Sequence, residues 1–209
     1  MDASLLIAGI VLGLTAGISP GPLLTLVFSE TVKHGRKEGF KVAVAPLITD
    51  APIILITILV LSKLSNIKFV LGAISILGSI YLTTLAIESL KIKRIELKVQ
   101  NVKPQSLKKG VIANFLNPHP YLFWISIGGP LIIKGLKFNF ISVFIFIIIF
   151  YTLLVGSKII IAQLVEKSRI FLKSNYYVYT IKSLGFILLI FALIFLVNGI
   201  ELLSIYIKI

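Results

Sequence analysis

The sequence contains no cysteine and few charged residues. Of its 209 residues none is Cys, and Asp, Glu, Lys and Arg together make up 14%, against 57% hydrophobic residues. Without cysteine the chain forms no disulfide, offers no thiolate nucleophile and has no cysteine ligand for a metal. A soluble domain of this size does not bury so much apolar surface. The composition therefore predicts an all-α integral membrane protein.

Six apolar stretches, each about 20 residues or longer, have the length of transmembrane helices. They cover residues 4–28, 42–62, 69–90, 110–133, 138–165 and 180–203. Because the connections between them are short, we expect a single transmembrane domain over residues 1–209, with no separate soluble domain.

Acidic residues are scarce beside basic ones, and the net charge is +13. Nucleic-acid binding is one interpretation of so basic a chain. The basic residues, however, concentrate in connections 29–41, 91–109 and 166–179, as they do in the cytoplasmic loops of membrane proteins. We therefore expect these loops in the cytoplasm, both termini outside, no nucleic-acid partner, and membrane lipids around the protein. We expect loop 91–109 to be a solvated topology signal, and contact of its basic residues with anionic lipid heads is the alternative.

The first apolar run is interrupted by Ser-Pro-Gly-Pro at residues 19–22. Proline has no N–H, so Pro20 and Pro22 free the carbonyls of Ala16 and Ile18. Such backbone is tolerated at membrane depth where it is buried in protein or lines a wet cavity. A packing kink is the alternative, but two prolines around a glycine favour a substrate site, which transporters often build at broken helices.

The same run carries Gly9, Gly13 and Gly17 at steps of four. A stripe of small residues allows close approach of another helix. We expect this helix to be a neighbour in the same bundle, and the face of a homodimer is the alternative.

A second Pro-x-Pro element, Asn117-Pro118-His119-Pro120, opens the fourth apolar run. Three helices per unit place the second unit upside down relative to the first, which is the inverted repeat of many secondary transporters. We predict repeat one over about 1–90 and repeat two over about 110–209, with helices one and four broken. Each break lies eight residues from the predicted cytoplasmic end of its helix, or about 12 Å.

Asp50 is the only acid well inside a predicted span, eight residues from Val42. A carboxylate at that depth is costly and indicates an ion or substrate path; the alternative is a structural aspartate satisfied by Thr49 or backbone. Lys158 either reaches the depth of Asp50 or extends to the interface.

His119 is a weaker candidate, because one histidine near one aspartate does not make a metal site. We expect Tyr121 and Trp124 to pack rather than bind. The chain shows no phosphate-binding loop, nucleophile–base motif or pair of catalytic carboxylates, so we expect neither an enzyme nor a cofactor.

Together, the Ser-Pro-Gly-Pro element, the segment from Gly35 to Asp50 and Asn117-Pro118 resemble the LysE/RhtB family of amino-acid exporters over nearly the whole chain. The resemblance implies a prokaryotic inner-membrane protein that extrudes amino acids with the proton gradient. Two positions depart from the family pattern: Ala45-Pro46 stands where glycine is common, and His119 replaces the usual lysine.

The sequence thus predicts a secondary exporter of amino acids or similar zwitterions, with protons or another ion coupled to transport. Asp50 would take the ammonium group or the coupling proton, and the half-helix N-termini after Pro22 and Pro120 would hold the carboxylate. An exporter of metal or other inorganic ions, or a membrane redox or assembly factor, is the alternative. The predicted substrate-binding residues are Ser19, Pro20, Gly21, Pro22, Thr49, Asp50, Asn114, Asn117, Pro118, His119 and Lys158.

Overall fold

A computed structural model describes residues 3–61, 67–91, 104–136, 139–168 and 175–207, and the regular structure in these ranges is entirely helical. Most of the predicted loop 91–109 and the end of span 42–62 lie outside the described residues. The helices are α1 (Ala3–Ile18), α2 (Pro22–His34), α3 (Arg36–Ala43), α4 (Ala45–Leu61), α5 (Ile67–Leu90), α6 (Ser106–Phe115), α7 (Pro118–Phe123), a π-helical turn (Trp124–Gly128), α8 (Gly129–Leu136), α9 (Phe140–Ser168) and α10 (Asn175–Ile207).

Three of these helices, α5, α9 and α10, are long and apolar enough to cross a membrane. Helices α1 and α2 meet the same criterion as a pair that is bent by 57° at its break. The described helices therefore support three spans, or four when the bent pair counts as one.

The prediction that residues 29–41 form a loop is wrong, because all of them except Gly35 are helical. No glycine or proline interrupts the chain between Pro22 and Gly35, so α2 continues to His34. Gly35 then adopts φ 94°, a conformation that glycine takes readily, and α3 starts at the next residue. The second predicted span also begins later than residue 42. Pro46 cannot donate to the carbonyl of Val42, and α4 starts at Ala45.

The glycine stripe of α1 packs inside the bundle, against α9, as expected. A Cβ atom on Gly13 would lie 2.7 Å from the carbonyl oxygen of Phe150, and one on Gly17 would lie 2.7 Å from Cβ of Ser157. Helices α5 and α10 pack in a similar way. Gly72 and Gly199 face each other there, and a Cβ on either would lie within 3.2 Å of the other's carbonyl oxygen. Small residues thus set both helix pairs at close range.

Two apolar clusters fill the interior. The first joins Leu23, Leu26 and Val27 of α2 to residues of the helices around them, among them Val42 and Ala113. The second cluster centres on side chains of α4, α7, the π-helical turn and α9: Ile53, Tyr121, Trp124, Phe150, Leu154 and Val155, with Leu71 of α5. The breaks at residues 19–21 and 116–117 lie beside these clusters.

The close approach of α1 and α9 predicts that Gly13→Ala destabilises the protein. The added methyl group would collide with the backbone of Phe150, and overpacking of this kind costs about 1–3 kcal/mol. Gly156→Ala is the matched control, because a Cβ there meets no atom within 4 Å. Thermal unfolding of both variants in the same detergent tests this, and equal melting temperatures for the two would contradict it.

Candidate functional site

A lysine from another helix caps the carbonyl groups at the first helix break. Lys158 of α9 donates from Nζ to the carbonyl oxygen of Ala16 at 2.9 Å and to that of Gly17 at 3.1 Å. The Ala16 carbonyl is one of the two that the prolines were predicted to free. Lys158 is only 4% exposed, so its side chain stays inside the bundle and does not extend to the interface. A cation at the C-terminal end of a helix also interacts favourably with the helix dipole.

The second break is satisfied by nearby residues. The side chain of Asn117 caps α7 by accepting from the backbone N–H of His119 at 3.0 Å. The Tyr121 hydroxyl donates to the Phe115 carbonyl at 2.9 Å. Helix α7 begins at Pro118, and not after Pro120 as predicted. Two of the first three residues of α7 are prolines, which have no N–H, and the N–H of His119 already donates to Asn117. The first turn therefore offers no free donor to a carboxylate. That part of the predicted site is wrong.

The matched offset predicted for the two breaks is wrong. Helix α2 ends fourteen residues beyond Pro20, at His34, whereas α6 begins twelve residues before Pro118, at Ser106. The predicted eight-residue offset is too short because both helices extend into the predicted loops. At 1.5 Å per residue the observed offsets are about 21 Å and about 18 Å.

Asp50 of α4 is 5% exposed and is surrounded by hydrogen-bond donors. Its Oδ2 accepts from the Tyr151 hydroxyl at 2.9 Å and from Trp124 Nε1 at 3.4 Å. Its Oδ1 accepts from Asn114 Nδ2 at 3.4 Å. A carboxylate has about four acceptor positions on its two oxygens. Asp50 therefore keeps capacity, on Oδ1, for a further donor.

Thr49 holds Asn114, one of the donors to Asp50, in position. Its hydroxyl donates to the Ala45 carbonyl at 3.1 Å and accepts from Asn114 Nδ2 at 2.6 Å. Because a hydroxyl has one proton, the longer 3.5 Å contact with Asp50 adds little. Thr49 thus orients Asn114 and is not the main partner of Asp50.

Sequence reasoning missed two partners of Asp50. Tyr151 is not among the predicted site residues, although it lies seven residues, or two turns, before Lys158 and so on the same face of α9. Trp124 was assigned to packing. It does pack, at 1% exposure, but it also donates to Asp50. Gly128 makes room for it, because a Cβ there would collide with the indole ring.

A cavity of about 240 Å³ brings most of the predicted residues together. The predicted residues that line it are Ser19, Pro20, Gly21, Pro22, Asp50, Asn114, Asn117, His119 and Lys158. Two others do not: Thr49 stands behind Asn114, and buried Pro118 lines a second cavity beside His119 instead. Four aromatic side chains also line the cavity: Phe123, Trp124, Phe150 and Phe191. The two breaks and the buried acid therefore meet at one cavity.

Opposite charges face this cavity from different helices. Asp50 lies on α4 and Lys158 on α9, and no ion pair within 4.0 Å joins them in the described part of the chain. The N-terminal turn of α2 also reaches the wall through Leu23 and Leu24. The backbone N–H groups of a first helical turn have no partner inside the helix and attract anions.

An ion network with a buried glutamate at its centre lies at the far end of α2. Glu30 is 1% exposed and accepts from the Ser106 hydroxyl at 2.5 Å and from Lys109 Nζ at 3.3 Å. Lys109 also donates to Glu88 of α5 at 2.7 Å. The network thus ties α2 to α5 and α6, and Leu26 and Val27 lie along α2 between it and the cavity.

Comparisons with known proteins identify a family. A family model described as LysE type translocator matches residues 14–199 of the chain. No curated protein and no solved structure matches the chain.

The capping of the first break predicts the effect of Lys158→Met on stability. Methionine fills similar space but cannot donate, so the carbonyls of Ala16 and Gly17 lose their partner. A buried acceptor left unpaired costs about 1–3 kcal/mol. We expect a lower melting temperature for Lys158→Met than for Lys182→Met, which removes an exposed lysine on α10. Equal melting temperatures would show that the lysine does not hold the break together.

Proposed function

Since this chain belongs to the LysE type translocator family, we propose that it is a secondary exporter of amino acids or similar small zwitterions. It acts in the cytoplasmic membrane of a prokaryotic cell and is driven by the proton gradient. The observation that supports this best is the cavity with Asp50 on one wall and Lys158 on another. A zwitterion needs one anionic and one cationic partner, and the cavity has both without pairing them to each other.

In this proposal the substrate carboxylate binds near Lys158 and the first turn of α2. Lys158 has three N–H donors, and two of them reach Ala16 and Gly17. One donor therefore remains for the substrate. Leu23 and Leu24, at the cavity wall, add free backbone N–H groups.

The ammonium group binds Asp50 at the acceptor position that Tyr151, Trp124 and Asn114 leave open. These three donors hold the carboxylate in one orientation, which lowers the cost of ordering it when a substrate arrives. Asp50 is also the acid in the cavity wall that a coupling proton would occupy. Competition between proton and ammonium for one carboxylate is a simple way to couple their movements.

We further propose six spans in two inverted repeats within one domain, residues 1–209. Besides α5, α9, α10 and the bent pair α1–α2, the two remaining spans would be α4 and the broken segment α6–α8. The helix packing supports this arrangement. If helices one, two and three correspond to four, five and six, a contact of one with five requires a contact of two with four. Both contacts are present: α1, in span one, packs against α9, which is span five, and α4, which is span two, packs against α6, in span four. In addition, α5, which is span three, packs against α10, which is span six.

Transport by such a protein requires the cavity to open to each side in turn. The ion network of Glu30, Lys109 and Glu88 lies at the end of α2, and α2 begins at the cavity. We propose that this network, with the apolar residues before it, closes the cytoplasmic side. The orientation follows the basic residues in the first, third and fifth connections, with both termini outside.

The contacts of Asp50 argue against the metal-ion alternative. Its neighbours Tyr151, Trp124 and Asn114 all point donors at it, whereas a metal needs oxygen or nitrogen lone pairs. The described residues also contain no group of three or more His, Asp or Glu side chains able to hold a metal. A thiol-based redox role has no support in a chain without cysteine.

Asp50→Asn tests the proposed role. The substitution keeps the shape and keeps an oxygen for Tyr151 and Trp124, so we expect normal insertion and folding. It removes the charge that binds the ammonium group or proton, so efflux from preloaded vesicles under an imposed pH gradient should fall to the background of protein-free vesicles.

Glu166→Gln is the control for the loss of a carboxylate elsewhere, because Glu166 accepts from the backbone of Arg36, far from the cavity wall. It should export at nearly the wild-type rate. Wild-type efflux by Asp50→Asn would mean that Asp50 is structural and that coupling occurs at another residue.

A further inference from the structure

The cavity wall has charges for the backbone groups of an amino acid but none for a charged side chain. Among the described residues that line it, Asp50 is the one acid and Lys158 the one lysine, with His119 as the other titratable group. Under the proposed function, Asp50 and Lys158 are both occupied by the ammonium and carboxylate groups that every amino acid carries.

The rest of the wall is mostly apolar, with Ser19, Asn114 and Asn117 as its uncharged polar side chains. Phe123 and Phe150 stack with ring centroids 5.2 Å apart, and Trp124 meets Phe150 edge-on at 5.9 Å. Leu154 and Phe191 extend the same surface. A substrate side chain that lies against this apolar surface meets rings and methyl groups and has no charged partner there.

The cavity volume is enough for one amino acid. At roughly 30 Å³ per water molecule, a cavity of about 240 Å³ holds the equivalent of about eight waters. That space fits one amino acid of moderate size.

From these observations we infer that the substrates are neutral amino acids with apolar side chains, branched aliphatic or aromatic, and that basic and acidic amino acids are rejected. The inference rests on the proposed function and deepens it. A lysine or glutamate side chain would bury a charge against Phe150 and Leu154 without a partner, and an unpaired buried charge is costly. An apolar side chain gains free energy from the same contacts.

Counterflow in proteoliposomes tests this directly. Vesicles containing the purified protein are preloaded with leucine, phenylalanine, lysine or glutamate, and uptake of the same amino acid in labelled form is measured. We expect leucine and phenylalanine to drive uptake at least about tenfold faster than lysine or glutamate, since even one methylene group changes selectivity by roughly tenfold or more. Lysine or glutamate driving uptake as fast as leucine would overturn the inference and leave the exporter proposal standing. Absence of counterflow with every amino acid would overturn both.

A matched pair of variants tests the cause. Leu154→Asp adds a second carboxylate to the wall, and Leu154→Asn adds the same shape without the charge. We expect the ratio of lysine to leucine counterflow to rise at least about tenfold in the first variant and to stay near the wild-type value in the second. The same ratio in both would show that wall charge does not set selectivity. If neither variant folds, counterflow by the wild-type protein with the four amino acids still tests the inference.

Discussion

The contact between Lys158 and the broken end of α1 is the interaction on which the site depends. Pro20 removes the donor that would satisfy the Ala16 carbonyl, and lipid offers no replacement. Lys158 supplies one at 2.9 Å. The buried ammonium is in turn stabilised by the carbonyls and by the end of the helix dipole. Break and lysine therefore satisfy each other's hydrogen-bonding groups.

Close helix packing makes this contact geometrically possible. Gly13 and Gly17 bring α1 against the backbone of α9, and Gly17 meets Ser157, the residue before Lys158. From α9, Tyr151 also reaches across the interior to Asp50 at 2.9 Å. One helix thus positions both charges of the cavity. Along α2, buried Leu26 and Val27 lie between the cavity and buried Glu30.

Local rules predicted much of this site from the sequence. A single proline such as Pro52 can stay inside a helix, but two prolines around one residue interrupt it, so both breaks were predictable. A lone acid such as Asp50 is conspicuous in an apolar run. The partners of Asp50 were not predictable in the same way, because Trp124 and Tyr151 are 74 and 101 residues away in the chain and aromatic residues usually pack. The helical form of 29–41 was missed because basic residues indicate topology but do not end a helix; Gly35 does.

The accessibility of the first break provides the most direct measurement. The chain has no cysteine, so Ser19→Cys introduces a single thiol at the cavity wall, and Ser204→Cys does so on an exposed part of α10 away from it. The rate of modification by a membrane-impermeant thiol reagent is measured with and without a saturating amino acid that drives counterflow. If the break forms the substrate site, the amino acid slows modification of Ser19→Cys and leaves Ser204→Cys unchanged. Modification of Ser19→Cys at the same rate with and without the amino acid would contradict a substrate site at the break.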